Sequence, residues 1–254
     1  MIKLIHLTKI YKGLHAVDDL NLEVKEGTLF GFLGPNGAGK TTTIKMMAGI
    51  LKPTSGSILI NGMDLAKEPQ KVKQCVGFIP DRPYLYEKLT GMEFMKFIAG
   101  LYGMDHARAT EERIHHLLDL FDLTHWRDEL IESYSHGMKQ RLVMGSALLP
   151  RPKVLVVDEP MVGLDPRGSR LVKDIFMEES RRKTTLFMST HSLEVAAEVC
   201  QEIAIIQAGK IIARGSAEEL KKAAGVEGSL ESVFLKLTEG KRIAHATPLS
   251  ASQS

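Results

Sequence analysis

Three short stretches of this chain combine residue types and spacing that suit phosphate chemistry. The first is GPNGAGKT, Gly34 to Thr41, which fits the pattern of glycine, four residues, then Gly-Lys-Ser/Thr. Its glycines let the backbone bend so that successive N–H groups face inward on an anion, and the start of a helix adds its positive dipole. On this reading Gly34, Pro35, Asn36, Gly37, Ala38, Gly39 and Thr42 cradle the phosphates, Lys40 reaches the β- and γ-phosphates, and the hydroxyl of Thr41 holds Mg²⁺. The second is KVLVVDEP at 153–160, an apolar run that delivers two carboxylates at its end. In a doubly wound sheet those acids lie beside the phosphate loop, with Asp158 as the Mg²⁺ partner and Glu159 one residue on, placed to activate an attacking water as a general base. The third, YSHGMKQRL at 134–142, puts Ser135 and Gly137 at the opening of a helix, a ready anion site.

Positioning these groups demands strands that end at loops and helices that begin there. Residues 1–33 read as three strands, with a KEG turn at 25–27. TTTIKMMAGIL at 41–51 has helical spacing and stops before Lys52-Pro53. A second strand cluster at 57–79 turns at Asn61-Gly62 and ends in VGFIP. Residues 90–124 carry apolar positions such as Ile114, Leu117, Leu118 and Phe121 at three-and-four spacing, the mark of a helical segment inserted into the strand framework. KVLVVDEP and TTLFMSTH flank a helix at about 168–182, the rhythm of a parallel sheet with crossover helices. A hairpin around Ala208-Gly209, helices at about 217–224 and 229–237, and a small polar tail complete the chain.

The order of these motifs resembles the ATP-binding subunits of ABC transporters, whose signature is a Ser-Gly-Gly-Gln turn opening a helix, and the resemblance runs to about residue 238. It implies an α/β fold with a P-loop NTPase core and mainly parallel sheet, an N-terminal antiparallel β-subdomain and an α-helical subdomain inserted at about 90–150. Residues 1–238 then form one ATPase domain and 239–254 a disordered tail. Tyr11 lies where that family stacks an aromatic on adenine, VGFIP ends where the loop facing a transmembrane partner begins, GLDP at 163–166 matches the loop joining two subunits, and STH at 189–191 matches a histidine switch. Carried over, two ATPase subunits sandwich two ATPs: Ser135 and Gly137 touch the γ-phosphate of the partner's nucleotide, while His191 contacts the one on its own side and holds the attacking water. From the residues alone, His191 reads more readily as a packing or surface histidine, and Asp165 reads equally as an N-cap beside Pro166. The resemblance implies ATP and Mg²⁺ as ligands, a second ATPase subunit and a separate transmembrane permease as partners, no nucleic acid, and a place on the cytoplasmic face of the membrane. PDRPYLYEKLTG and SLESVFLKLTE look more like bacterial export systems than importers. The alternative is a soluble ATPase of the same family acting in translation or DNA maintenance; against it stand a single cassette and no heptad run.

Two departures from the family pattern stand out. Asp81 replaces the usual glutamine after VGFIP and keeps an oxygen for Mg²⁺, while His136 and Met138 replace the second glycine and the glutamine of the signature. Both bear on ATPase rate or coupling. The rest of the composition is that of a folding globular chain: of 254 residues 44% are hydrophobic and 25% charged, and 33 basic against 31 acidic residues leave a net charge of +2, too little to draw the chain onto nucleic acid or acidic lipid. No apolar run approaches the roughly 20 residues of a membrane span, and the alternating start reads as a strand rather than a signal peptide, from which residence in the cytoplasm follows. Cys75 and Cys200 are expected as buried free thiols, Met46 and Met47 as core, and His115-His116 as solvated or packing residues without metal-ligand spacing. Trp126 packs the helical lobe or faces a partner.

Overall fold

The structure, a computed structural model, describes residues 1–104, 107–225 and 229–239. Two sheets organise it. Strands β1 (Ile2–Tyr11), β2 (Leu14–Val24), β4 (Ser55–Ile60) and β5 (Met63–Asp64) form an antiparallel sheet in the order β2-β1-β4-β5. Asn61 (φ 51°) and Gly62 (φ 80°) make the tight β4–β5 turn, the left-handed pair that suits the twist of a two-residue hairpin. The other sheet runs β10-β9-β3-β8-β7-β6, built from β3 (Leu29–Leu33), β6 (Val76–Ile79), β7 (Val154–Asp158), β8 (Thr185–Thr190), β9 (Glu202–Gln207) and β10 (Lys210–Gly215). All neighbours in it are parallel except β10 on β9.

The parallel strands are apolar on both faces because both are covered. Val154 and Val156 join Phe30, Phe32 and Phe187 in a core shared with helix α1 (Lys40–Met47) and the antiparallel sheet. Leu155 and Val157 point the other way, into a core with the helical lobe and helix α6 (Pro166–Arg181). Phe30 and Phe187 stack with ring centroids 5.4 Å apart, one rung of this packing.

Helix α2 (Pro69–Cys75) leads into β6, and between β6 and β7 stand α3 (Gly91–Leu101), α4 (Arg108–Leu120) and α5 (His136–Leu148). Ile114, Leu117, Leu118 and Phe121 are buried there as their spacing predicts. The helical segment expected over 90–124 comes as more than one helix, the first of them ending at Gly103, whose φ of 67° lets the Met104 N–H reach back to the Ala99 carbonyl at 3.0 Å. The same device shortens α1. It ends at Met47, not at residue 51, because Gly49 (φ 66°) turns the chain so that the Ile50 N–H bonds the Lys45 carbonyl. Trp126 packs edge-on to Tyr134 within the lobe, with centroids 6.4 Å apart, and remains 43% exposed.

Helix α7 (Leu193–Val199) precedes β9, and α8 (Ala217–Ala224) and α9 (Leu230–Glu239) pack at the end of the described chain. Residues 240–254, the bulk of the expected tail, lie outside the described residues. Met46, Met47 and Cys200 are buried as expected. Cys75 is not: as the last residue of α2 it is only half-buried. Among the described residues no helix is long and apolar enough to cross a membrane.

Candidate functional site

β3 ends at Leu33 and α1 starts at Lys40, so the six residues between them turn sharply at the edge where the parallel strands end. Two glycines make that turn possible for steric reasons the structure states directly. A Cβ on Gly34 would lie 2.3 Å from the Ile206 carbonyl oxygen, and one on Gly39, at φ 109°, the same distance from that of Ala16. The loop is thus wedged between β2 and β9, with backbone on both sides. Gly39 caps α1 without a side-chain hydrogen bond, so the free N–H groups of its first turn keep their donors for an anion.

Lys40 folds its side chain back over the loop, where Nζ donates to the carbonyls of Gly34 at 2.7 Å and Pro35 at 3.3 Å. Burial pulls the Lys40 pKa below its ordinary value, and the carboxylates of Glu159 and Asp158 pull it back up. Asp158 ends β7, opposite Ser189 of β8, and is 2% exposed. Its carboxylate accepts hydrogen bonds from the hydroxyls of Ser189 and Thr41. Burial raises its pKa, those two bonds oppose the rise, and the nearby charges of Asp81 and Glu159 add to it.

Glu159 follows with a left-handed backbone, φ 50°, unusual for a side chain with a Cβ. Its N–H donates to the Ser189 carbonyl at 3.1 Å, so parallel pairing carries on one residue past the strand and turns the carboxylate out of the sheet. There Oε2 accepts from the His191 N–H at 3.2 Å and lies 2.9 Å from His191 Nδ1. Glu159 and His191, singled out separately in the sequence, are direct partners.

These groups open onto one cavity of about 480 Å³. Residues 35–42, Asp81, Glu159 and His191 line it, so most of the residues singled out by type and spacing converge. Asp158 sits behind Thr41 in the sheet. Tyr11 does not line the cavity; it ends β1 paired with Leu14, 44% exposed, with Lys9 Nζ 5.3 Å from its ring centre. Ser135 and Gly137 stay outside it too. Ser135 is the N-cap of α5, its Oγ accepting from the Met138 N–H at 3.3 Å, and it is exposed. Asp165 caps α6 in the same way through the Gly168 N–H at 2.8 Å, with Pro166 at the first helical position.

Four lining residues escaped the sequence reading as site groups: Ala16, Arg82, His136 and Val162. His136 was visible only as a departure from the signature, and Arg82 only as the neighbour of Asp81. Ala16 and Val162 carry no chemical signal and arrive through topology. His115 and His116 are exposed on α4, with His115 Nδ1 3.4 Å from Arg127 Nη1.

The profile of the family described as ABC transporter matches residues 17–162. The daunorubicin/doxorubicin resistance ATP-binding protein DrrA of Streptomyces peucetius is 40% identical over 219 residues, 86% of this chain and 66% of DrrA. The bacitracin transport ATP-binding protein BcrA of Bacillus licheniformis is 38% identical, over 87% of this chain and 72% of BcrA. This chain therefore aligns with roughly two thirds of these relatives' length. Among solved structures, an ATP-binding subunit of an ABC transporter superposes with a TM-score of 0.88 at 31% identity, covering 94% of this chain and 99% of its own. A dimeric post-hydrolysis state of the ATP-binding cassette MJ0796, bound to ADP and Pi, superposes with a TM-score of 0.75 at 26% identity, covering 85% and 98%. With a phosphate loop, an acidic strand end and a histidine meeting in the cavity of such a fold, this chain belongs to the ABC transporter family, as an ATP-binding cassette.

Proposed function

We propose that this chain binds and hydrolyses ATP with Mg²⁺ and energises transport, in the export direction, through a separate transmembrane permease at the cytoplasmic face of the membrane. The observation that carries the reading is the convergence of Lys40, Glu159 and His191 on one cavity at an uncapped helix start. Lys40 exchanges its two loop carbonyls for oxygens of the β- and γ-phosphates, and Gly34 and residues 36–42 supply backbone N–H groups. Tyr11 stacks on the adenine, and the domain runs over 1–238 with its helical lobe at about 90–150.

The residues present fit Mg²⁺. Thr41 and Asp158 already share a hydrogen bond, and Asp81 lines the same cavity. Among the described residues no group of three or more His, Cys, Asp or Glu could hold a metal alone, which suits an ion that takes one or two carboxylates and completes its shell with phosphate and water. When bound, Mg²⁺ neutralises charge on the phosphates. Glu159 accepts the proton of the attacking water, and His191, anchored on Glu159, orients that water against the γ-phosphate.

Ser135 and Gly137 do not line their own cavity and serve the nucleotide of a second ATPase subunit. The export direction rests on relatives named for drug resistance and bacitracin transport, and on the sequence between Pro80 and Gly91. With transport subunits as relatives, the soluble reading in translation or DNA maintenance is not favoured, and no nucleic-acid partner is proposed. The test is phosphate release and ATP titration of the wild type and Lys40→Ala. The reading requires ATP-dependent turnover in the wild type and loss of both binding and turnover in the variant; turnover that survives Lys40→Ala refutes the site. Co-purification from detergent extracts identifies the permease.

A further inference from the structure

At the end of the parallel sheet away from the phosphate loop, a second cavity of about 490 Å³ opens where the helical lobe meets the core. It lies at the start of β6 and β7, opposite the end that carries Asp158. The Tyr102 hydroxyl on its wall donates to the Val76 carbonyl at 3.3 Å, and Val76 pairs with Val154. The cavity is as large as the nucleotide cavity of about 480 Å³ and falls among pockets that hold small molecules. Tyr102, Met104, Leu149 and Pro150 give it an apolar wall, and Gln74, Arg113 and Arg151 supply polar groups. Among the described residues no Asp or Glu lines it.

Arg113, on α4, donates through Nε to the Leu149 carbonyl at 3.1 Å and through Nη2 to that of Leu148 at 2.7 Å. These bonds satisfy carbonyls at the end of α5 and fix the guanidinium in place. Among the described residues its Nη1 has no hydrogen-bond partner, and neither Arg113 nor Arg151 pairs with an acid. The nearby Glu179 carboxylate is already engaged, 3.3 Å from Arg182 and accepting from the Thr184 hydroxyl at 3.2 Å. Burial lowers the Arg113 pKa, and the like charge of Arg151 lowers it further. Arg151 leads from α5 into β7 with φ 52°, a left-handed backbone that an arginine adopts less readily than an asparagine.

We propose that this cavity binds a small organic anion, with an oxyanion head between Arg113 and Arg151 and a flat apolar body against Tyr102, Leu149 and Pro150. The head accepts hydrogen bonds from Arg113 Nη1 and from Arg151 and offsets the repulsion between the two guanidiniums. The apolar wall favours a ring-bearing anion over a bare inorganic ion. Arg113 belongs to the lobe and Arg151 to the segment entering β7, so the bound anion ties lobe to core at the strand whose far end carries Asp158. The site shares no lining residue with the nucleotide cavity, and both can be filled at once.

The test uses the full-length chain saturated with ADP, so that the nucleotide cavity takes no probe, and titrates it calorimetrically with phenyl phosphate, benzoate, neutral benzamide and inorganic phosphate. Phenyl phosphate and benzoate should bind at a single site per chain. Benzamide, which lacks the charge, and inorganic phosphate, which lacks the ring, should each bind at least about tenfold more weakly. Arg151→Asn should weaken phenyl phosphate by about tenfold or more, with ADP affinity kept and a Tm no lower than wild type, because asparagine tolerates the left-handed backbone better. In the wild type, phenyl phosphate should protect Arg151 from phenylglyoxal, read by peptide mass mapping. Absent binding, benzamide or inorganic phosphate binding as tightly as phenyl phosphate, an unchanged affinity in Arg151→Asn, or an unprotected Arg151 overturns the site. ADP that fails to bind refutes the proposed function instead, and the protection of Arg151 then decides this site alone.

Discussion

Replacing Glu159 by Gln isolates its proton-accepting role from its structural one. In the wild type, Oε2 receives the His191 N–H at 3.2 Å and sits 2.9 Å from His191 Nδ1. A glutamine keeps one carbonyl oxygen for that N–H, so the switch loop stays anchored, and the loss of a charge-assisted hydrogen bond costs roughly 1 kcal/mol in stability. ATP binding should hold or tighten, because a negative charge leaves the cavity that takes the phosphates. Turnover should fall by about 10²–10⁴, or roughly 3–5 kcal/mol of barrier, the usual contribution of a positioned general base. The assay is steady-state phosphate release at saturating ATP beside an ATP titration of the same sample. Release within about tenfold of the wild type, with ATP bound, would show that Glu159 is not the water activator.

Other consequences follow from the same geometry. Burial holds the Asp158 pKa above its ordinary value, so the stability it lends is complete below the usual carboxylate range and is lost as pH rises through the raised value. Asp158→Asn should therefore raise the calorimetric Tm at pH 7 without added nucleotide, by a margin that closes toward pH 4, while turnover is lost; an equal gap at both pH values contradicts this. Gly37 has φ 78° and open space around it, whereas a Cβ on Gly39 meets the Ala16 carbonyl at 2.3 Å. Gly37→Ala should cost about 1–2 kcal/mol in urea unfolding and Gly39→Ala clearly more. The Cys200 thiol is buried and pushed up to about 12, so iodoacetamide at pH 8 should label half-buried Cys75 and spare Cys200 until the protein unfolds, read by peptide mass mapping.

What the sequence disclosed and what it withheld divide along the range of the interactions. The phosphate loop, the acidic strand end and the α6 start are local: Gly34 to Thr41, Val154 to Glu159 and Asp165-Pro166 each contain the residues that shape them. The helix ends at Met47 and Leu101 turn on single glycines, Gly49 and Gly103, whose left-handed conformation competes with an apolar pattern that continues past them. Cys75 follows the same logic, since its residue type favours burial but its place at the end of α2 leaves it partly open. The cavity wall is the least legible part. Ala16, Arg82, His136 and Val162 reach it only because the parallel order β9-β3-β8-β7-β6 and the seating of α5 on residues 163–164 bring distant segments together. The partnership of Glu159 with His191 likewise depends on β7 lying beside β8.

The central claim is a nucleotide site completed by two chains, and an experimental structure of Glu159→Gln with ATP and Mg²⁺ addresses it directly. The account predicts two chains around two ATPs, with Lys40 and His191 of one chain and Ser135 of the other on the same γ-phosphate. ATP held in a single chain, with Ser135 still facing solvent and Lys40 still on the carbonyls of Gly34 and Pro35, contradicts it.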